Sequence, residues 1–272
     1  MEYTNSYTIG YFGTDNQLCL TPSSLVVYLQ DIAIAHSNAL GYTLEWLAEQ
    51  HRGWAIINWH IKIERLPKFG ETIQVKTWCN RCRRMQAERS FTVIDESGKE
   101  IVKAVSRWIY MDLERRCPCV IDKEMEERYT SRIPMALTDE RYQMPKVGEA
   151  QLFSEREFAV TRRDTDTNGH VNNTKYIEWA IDDVPDEIYH HYTIDDIKVV
   201  YRKECYKDSQ VKSRCFLDRA WEGFDFHANK QPVKLCRETT EMTSFFVEPS
   251  DESIVFAEVA THWVDKWKKW EK

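Results

Sequence analysis

Two blocks of the chain repeat each other without a gap. Thr14–Asp31 lies on Thr165–Asp182, each pairing a strand end, a turn and the start of a helix pattern. Ile61–Cys79 lies on Ile197–Cys215, matching Ile-Lys with Ile-Lys and Gln-Val-Lys with Gln-Val-Lys. The offset is 151 in the first block and 136 in the second, which places 15 extra residues in the first half, in the segment Thr43–Gly53. The blocks agree in order and in structural type, so the chain reads as a duplication. At 272 residues, each half is then of ordinary domain size, and both must form the same kind of fold.

The repeated order is strand, long helix, several strands. Residues 7–12 read as a short strand. Thr21-Pro22 opens a helix, with Thr as N-cap and Pro at the first helical position. Leu25, Tyr28, Leu29, Ile32, Ala33, His36, Ala39 and Leu40 form its apolar stripe, and Gly41 ends it. On that stripe His36 reads as a packed, hydrogen-bonded side chain in preference to a ligand. A shorter helix, Leu44 to Glu49, follows a Thr43 cap.

Long alternating runs come next. In Trp54–Arg65, the residues Ala55, Ile57, Trp59, Ile61 and Ile63 share one face. Ile73 to Cys79, Met85 to Val93 and Lys99 to Met111 continue the pattern, with Asp95–Gly98 as a turn. Period-two patterning over such lengths indicates antiparallel strands with one covered face. One long helix followed by long strands is an α+β pattern, the helix laid on a curved sheet. Residues 114–150 lose the periodicity and contain Pro118, Pro134 and Pro145, so they read as a connector. Strands resume at Arg156–Val160, Asp196–Lys203, Gln210–Leu217, Val233–Met242 and Ile254–Trp263, before a Lys-rich tail carrying Trp267 and Trp270. The resulting domains are 1–130 and 151–272, with a linker at 131–150.

The two copies differ most at one turn. Asp164-Thr-Asp-Thr-Asn-Gly-His170 packs Asp166, Asn168 and His170 around a Gly and runs into a helix pattern, Tyr176, Ile177, Ala180, Ile181 and Val184, which Pro185 stops. The counterparts of Asn168, Gly169 and His170 are Gln17, Leu18 and Cys19, and Glu204-Cys205 falls opposite Lys68-Phe69. Only Asp166 keeps its partner, Asp15. Polar groups at a helix N-terminus suit a carbonyl or an anion, because that end offers unpaired N–H groups. An Asx-capped turn explains the Asp and Asn but not the His. The asymmetry suits one reactive half and one half given over to an apolar pocket.

A net charge of −7 argues against general nucleic-acid binding. No apolar run reaches membrane-span length. The N-terminus lacks the pattern of a signal peptide, and no Arg/Ser-rich transit segment is present, so the cytoplasm is expected. Of the eight cysteines, Cys79-Asn-Arg-Cys82 has metal-like spacing, but a zinc site needs two matched pairs, and reduced core cysteines are expected instead. No metal or cofactor is expected.

Asp164-Thr-Asp-Thr-Asn-Gly-His-Val-Asn-Asn-Thr-Lys-Tyr176 resembles the Asp-x-Asp-x-Asn-x-His-Val-Asn-Asn-x-Lys-Tyr signature of acyl-acyl-carrier-protein (acyl-ACP) thioesterases. Val200-Tyr-Arg-Lys-Glu-Cys205 resembles that family's second block, and Arg65–Trp78 and Ser106–Met111 resemble first-half segments. The resemblance implies a tandem (double) hotdog fold, each half a long helix wrapped by a curved antiparallel β-sheet. It implies hydrolysis of a fatty acyl-ACP thioester to free fatty acid and ACP, ending fatty acid synthesis, by a bacterial-type member. The family's functional positions fall on Asp166, Asn168, His170 and Glu204, and Cys205 matches a cysteine once assigned as nucleophile. Tyr206 stands where a Gly is usual, and Gly169 replaces a common Gln.

For the chemistry, Glu204 is the preferred general base, with His170 assisting, Asp166 orienting its neighbours and Asn168 holding water or the carbonyl. The rival is Cys205 as a nucleophile activated by His170. Neighbours on a strand point to opposite faces, so only one of Glu204 and Cys205 can face the helix terminus. Tyr28, Ile32, His36 and Trp59 are the candidate lining for the acyl chain. The carrier protein is acidic as a class, so basic pairs are expected to dock it, Arg162/Arg163 and Arg202/Lys203 foremost. An acyl-CoA thioesterase on the same fold and a non-hydrolytic acyl-binding protein are the alternatives, and either a monomer or a homodimer is compatible.

Overall fold

The computed structural model describes residues 1–138, 144, 147, 150–218 and 238–266. The chain divides into two compact units, Met1–Tyr142 and Gln143–Lys272.

The first unit contains β1 (Glu2–Thr8), α1 (Pro22–Ala39), α2 (Leu44–Glu49), β2 (Arg52–Ile63), β3 (Thr72–Arg83), β4 (Gln86–Ile94), β5 (Glu100–Asp112), β6 (Cys117–Pro118) and α3 (Lys123–Tyr129). Its sheet runs β1-β3-β4-β5-β2, antiparallel throughout, and β6 adds two residues to β5. The Thr21 side chain accepts from Ser24 N–H and caps α1, and Pro22 starts the helix without losing a bond. The face of α1 carrying Leu25, Val26, Leu29, Ile32, Ala33 and His36 is buried. Trp59, Ile61, Ile73, Val75, Phe91 and Val93 supply the buried side of the strands. At about 25 cal/mol per Å² of apolar surface removed from water, burying these side chains stabilises the unit.

The second unit contains β7 (Gln151–Ala159), α4 (Asn173–Asp182), α5 (Asp186–His191), β8 (Tyr192–Tyr201), β9 (Gln210–Leu217), β10 (Thr239–Glu248) and β11 (Asp251–Asp265). Its sheet runs β7-β9-β10-β11-β8. Strand for strand this is the first unit's order, so the duplication extends to topology.

Several expectations need correction. The strand expected at 7–12 is Glu2–Thr8, followed by a 3-10 turn at Tyr11–Gly13. Among the described residues β1 pairs with β3 alone and is mostly exposed, so it lacks the alternation that would have marked it. In β2 a bulge at Ile57 resets the alternation: Ala55 is exposed, Ile56 is buried and the inward series runs Trp59, Ile61, Ile63. Within the connector 114–150, Asp122 caps the helix α3, whose Met125 and Tyr129 enter the core. The helix ended by Pro185 stops earlier, at Asp182, and Pro185 starts α5.

The register of the second repeat is also corrected. Gly70 N–H bonds Ile9 O as Asp208 N–H bonds Val160 O, and Glu64 N–H bonds Ile101 O as Arg202 N–H bonds Phe256 O. These pairs relate the strands at an offset of 138, two residues from the expected 136. A slip of two preserves side-chain alternation, which is why sequence identity did not exclude it. Cys205 then corresponds to Pro67 and Glu204 to Leu66, because Val171 N–H bonds Cys205 O as Leu20 N–H bonds Pro67 O. The extra first-half length lies largely in α1, 18 residues against 10 in α4, and not only in Thr43–Gly53, whose short helix has a partner in α5. The expected strand start at 233–237 and the tail residues Trp267 and Trp270 lie outside the described residues. No helix among the described residues is long and apolar enough to cross a membrane.

Candidate active site

The turn before α4 is built by one carboxylate. Asp166 Oδ1 accepts from Asn168 N–H at 2.8 Å and from His170 N–H at 3.2 Å. Asp166 N–H in turn donates to His170 O at 2.8 Å. Gly169 supplies the left-handed residue, φ 80°, that such a turn demands. The first unit repeats it. Asp15 Oδ1 accepts from Gln17 N–H at 2.8 Å and Cys19 N–H at 3.0 Å, with Leu18 at φ 58°. Asp166 is thus a turn-builder common to both halves, and what the second half adds is Asn168 and His170.

Asn172 caps α4, its side chain accepting from Thr174 N–H at 3.0 Å, while Lys175 N–H bonds Asn172 O at 2.9 Å. Tyr201 OH donates to Asn173 O at 3.0 Å and ties β8 to the helix start. Burial raises the Tyr201 phenol well above its ordinary value, so it acts as a neutral donor.

Beyond β8 the chain turns back and pairs His170 with Tyr206. This pairing sets Glu204 and Cys205 on opposite sides. Glu204 is exposed, with Oε2 3.8 Å from His170 Nε2, beyond hydrogen-bond range but within ion-pair contact. Cys205 is 2% exposed and packs inward. Burial, the leading cause, raises its thiol above the ordinary value, against the smaller pull of Ser209. The arrangement presents a carboxylate and an imidazole to solvent and withholds the thiol. Arg162 and Arg163 are exposed in the 3-10 turn that precedes Asp166, whereas Arg202 Nε is engaged by Glu258 Oε1 at 2.8 Å.

A residue that the sequence marked only as a departure from the family's Gly, one that could reshape the pocket mouth, joins the cluster. Tyr206 OH donates to Glu204 Oε2 at 2.5 Å, and its ring meets that of His170 edge-on at 5.0 Å between centroids. Its signal was the two-residue spacing from Glu204, which places both side chains on one face of an extended segment.

The four candidate pocket residues belong to the first unit. Ile32 and Trp59 are fully buried, with Trp59 packed on Phe91 at 5.1 Å between ring centroids. Tyr28 is half-buried against Tyr7 at 5.0 Å. His36 is buried, stacked on Tyr3, and accepts at Nδ1 from Arg89 at 2.8 Å, so its proton sits on Nε2. Burial, with the Arg89 charge second, pushes His36 down to about 3. Cys79 and Cys82 join the same core with Met125 and Tyr129, and all seven cysteines among the described residues are free thiols.

Residues 1–129 match the N-terminal domain of acyl-ACP thioesterases, and residues 148–248 match the C-terminal domain. Oleoyl-acyl carrier protein thioesterase 1 of Arabidopsis thaliana, a chloroplastic protein, is 24% identical over 228 residues, which is 78% of this chain and 63% of that one. The chain spans 63%, 50% and 59% of the length of three curated relatives it matches. Among solved structures, an acyl-ACP thioesterase from Bacteroides thetaiotaomicron superposes with a TM-score of 0.77 at 23% identity, covering 96% of this chain and 97% of that one. The 12:0-ACP thioesterase from Umbellularia californica gives a TM-score of 0.78 at 20% identity, covering 97% and 94%. At these identities the structures speak for the fold, a tandem hotdog of the α+β class.

Proposed function

Because the chain belongs to the acyl-ACP thioesterase family, we propose that it hydrolyses a fatty acyl-ACP thioester to a free fatty acid and ACP. The observation that carries this reading is the Glu204 carboxylate, held 3.8 Å from His170 Nε2 while the neighbouring thiol is buried. Glu204 takes the proton of a water that attacks the carbonyl carbon. The oxyanion forms at Asn173 N–H, the first donor of α4, and a donor so placed contributes about 3–4 kcal/mol to the transition state. Collapse of the tetrahedral intermediate expels the phosphopantetheine thiolate, which leaves readily and takes up a proton. His170 stabilises the Glu204 charge and Asn168 holds water or the carbonyl. Asp166 keeps the turn in shape. Cys205 is assigned a packing role, since a thiol pushed up by burial is a poor nucleophile.

The same reading gives residues 1–130 to an N-terminal hotdog domain with the acyl-chain pocket at Tyr28, Ile32, His36 and Trp59. It gives 131–150 to the linker and 151–272 to the catalytic domain. The partner is ACP carrying an acyl-phosphopantetheine group, the compartment the cytoplasm, and the assembly a monomer or homodimer. The test is a panel of acyl-ACPs of graded chain length beside matching acyl-CoAs, scored for free thiol and fatty acid. Faster turnover of the CoA series makes the protein an acyl-CoA thioesterase. No thiol from any substrate makes it a non-hydrolytic acyl-binding protein.

A further inference from the structure

Tyr206 is two residues past Glu204 on the same exposed face, and its ring and hydroxyl have different partners. The ring abuts His170 edge-on at 5.0 Å, and the hydroxyl donates to Glu204 Oε2 at 2.5 Å. The accepting oxygen is the one that lies 3.8 Å from His170 Nε2. A glutamate side chain at 48% exposure on an extended segment otherwise samples several rotamers. One donor fixed by the backbone pairing of His170 with Tyr206 removes that freedom. The effect is to hold Glu204 Oε2 beside His170 Nε2.

We propose that Tyr206 is a positioning residue for the Glu204 base. It rests on the thioesterase reading, but it adds a group that neither the motif nor the paired carboxylate and imidazole includes. Acting through Glu204, Tyr206 raises the fraction of molecules whose base is in attacking geometry, a contribution to kcat and not to substrate affinity. Removing the hydroxyl leaves the ring, and therefore the contact with His170, in place.

The experiment is Tyr206→Phe assayed on acyl-ACP and on a small acyl thioester, in the wild-type background and in Glu204→Asp. The shorter aspartate withdraws the carboxylate from Tyr206 while keeping a base. The expected result is a kcat lower by about 5–20-fold on both substrates, KM within twofold and thermal stability unchanged, with a clearly smaller loss when Glu204 is already Asp. A raised KM with kcat retained would make Tyr206 a contact at the substrate entrance and overturn the proposal. So would an unchanged kcat, an equal loss in both backgrounds, or a matching fall in thermal stability. If the wild-type protein releases no thiol, the failure belongs to the thioesterase reading and not to Tyr206.

Discussion

Asp15 and Asp166 make the same two hydrogen bonds in two copies of one turn, each accepting at Oδ1 from the backbone N–H groups two and four residues on. Their role is to fold the turn, so Asp15→Ala and Asp166→Ala are expected to destabilise alike, by about 1–3 kcal/mol each for the lost charge-assisted bonds. Only Asp166→Ala should lower kcat, because only its turn carries His170. Denaturant unfolding beside steady-state kinetics decides it; a kcat loss in Asp15→Ala as large as in Asp166→Ala would break the division of labour.

The residue before the last turn position separates the two copies in the opposite sense. Leu18 holds φ 58° and Gly169 holds φ 80°. A branched side chain in the left-handed region carries strain of about 1 kcal/mol that glycine does not. Leu18→Gly is therefore expected to stabilise the protein slightly and Gly169→Ala to destabilise it by about 1 kcal/mol, read as opposite shifts in thermal midpoint. Shifts of the same sign would show that contacts of the exposed Leu18 side chain outweigh its backbone.

Glu204 and Cys205 should respond to mutation as their exposures differ. Glu204→Gln preserves shape and removes the proposed base, so kcat is expected to fall by at least about 100-fold, the scale of general-base catalysis. Cys205→Ala should keep kcat within a few-fold while losing about 1–2 kcal/mol of stability from a packed site. Full loss of turnover in a folded Cys205→Ala protein would restore the thiol as nucleophile.

What the sequence made legible was whatever had period. The stripe of α1, the alternation of β3 to β5 and the duplicated topology were all readable, because burial imposes a spacing. The edge strand β1, the bulge at Ile57 and the helix α3 were not, since each is fixed by pairing or by a cap on a short segment. At the candidate site, Asn168 and His170 stood out by residue type against their first-half counterparts, and the family resemblance named them together with Asp166 and Glu204. Tyr206 stood out only as a departure from the family's Gly, and its bond to Glu204 carries meaning only once the chain beyond β8 pairs it with His170. The two-residue slip between the repeats had the same origin: alternation survives it, and only backbone hydrogen bonds tell the registers apart.

His36 makes a pH-dependent contribution. Its folded value, about 3, lies below the ordinary 6.5, with burial the main cause and Arg89 next. The unfolded chain therefore binds the proton first as pH falls. The contribution is fully present above about 6.5 and is lost progressively down to about 3. Between pH 7 and pH 5 the loss is about 2 kcal/mol. His36→Gln keeps an acceptor for Arg89 without the titration, so the stability gap between pH 7 and pH 5 should narrow by about that amount. An unchanged gap in urea melts at the two pH values would place the titration elsewhere.

Arg162 and Arg163 lead into the Asp166 turn and are exposed. On the proposed reading, an acidic carrier protein that presents its thioester at α4 meets this edge of the second unit. Charge complementarity of this kind acts on encounter and register, so its loss appears in KM and in salt dependence more than in kcat. Arg202 is a weaker candidate than its sequence suggested, because Glu258 already holds its guanidinium. The double variant Arg162→Glu/Arg163→Glu is expected to raise KM for acyl-ACP by about 10-fold, equivalent to about 1.4 kcal/mol. It should leave a small acyl thioester within twofold and flatten the rise of KM with added salt. Equal effects on both substrates would mean that the reversal disturbs the turn itself, and the docking surface would have to be sought elsewhere.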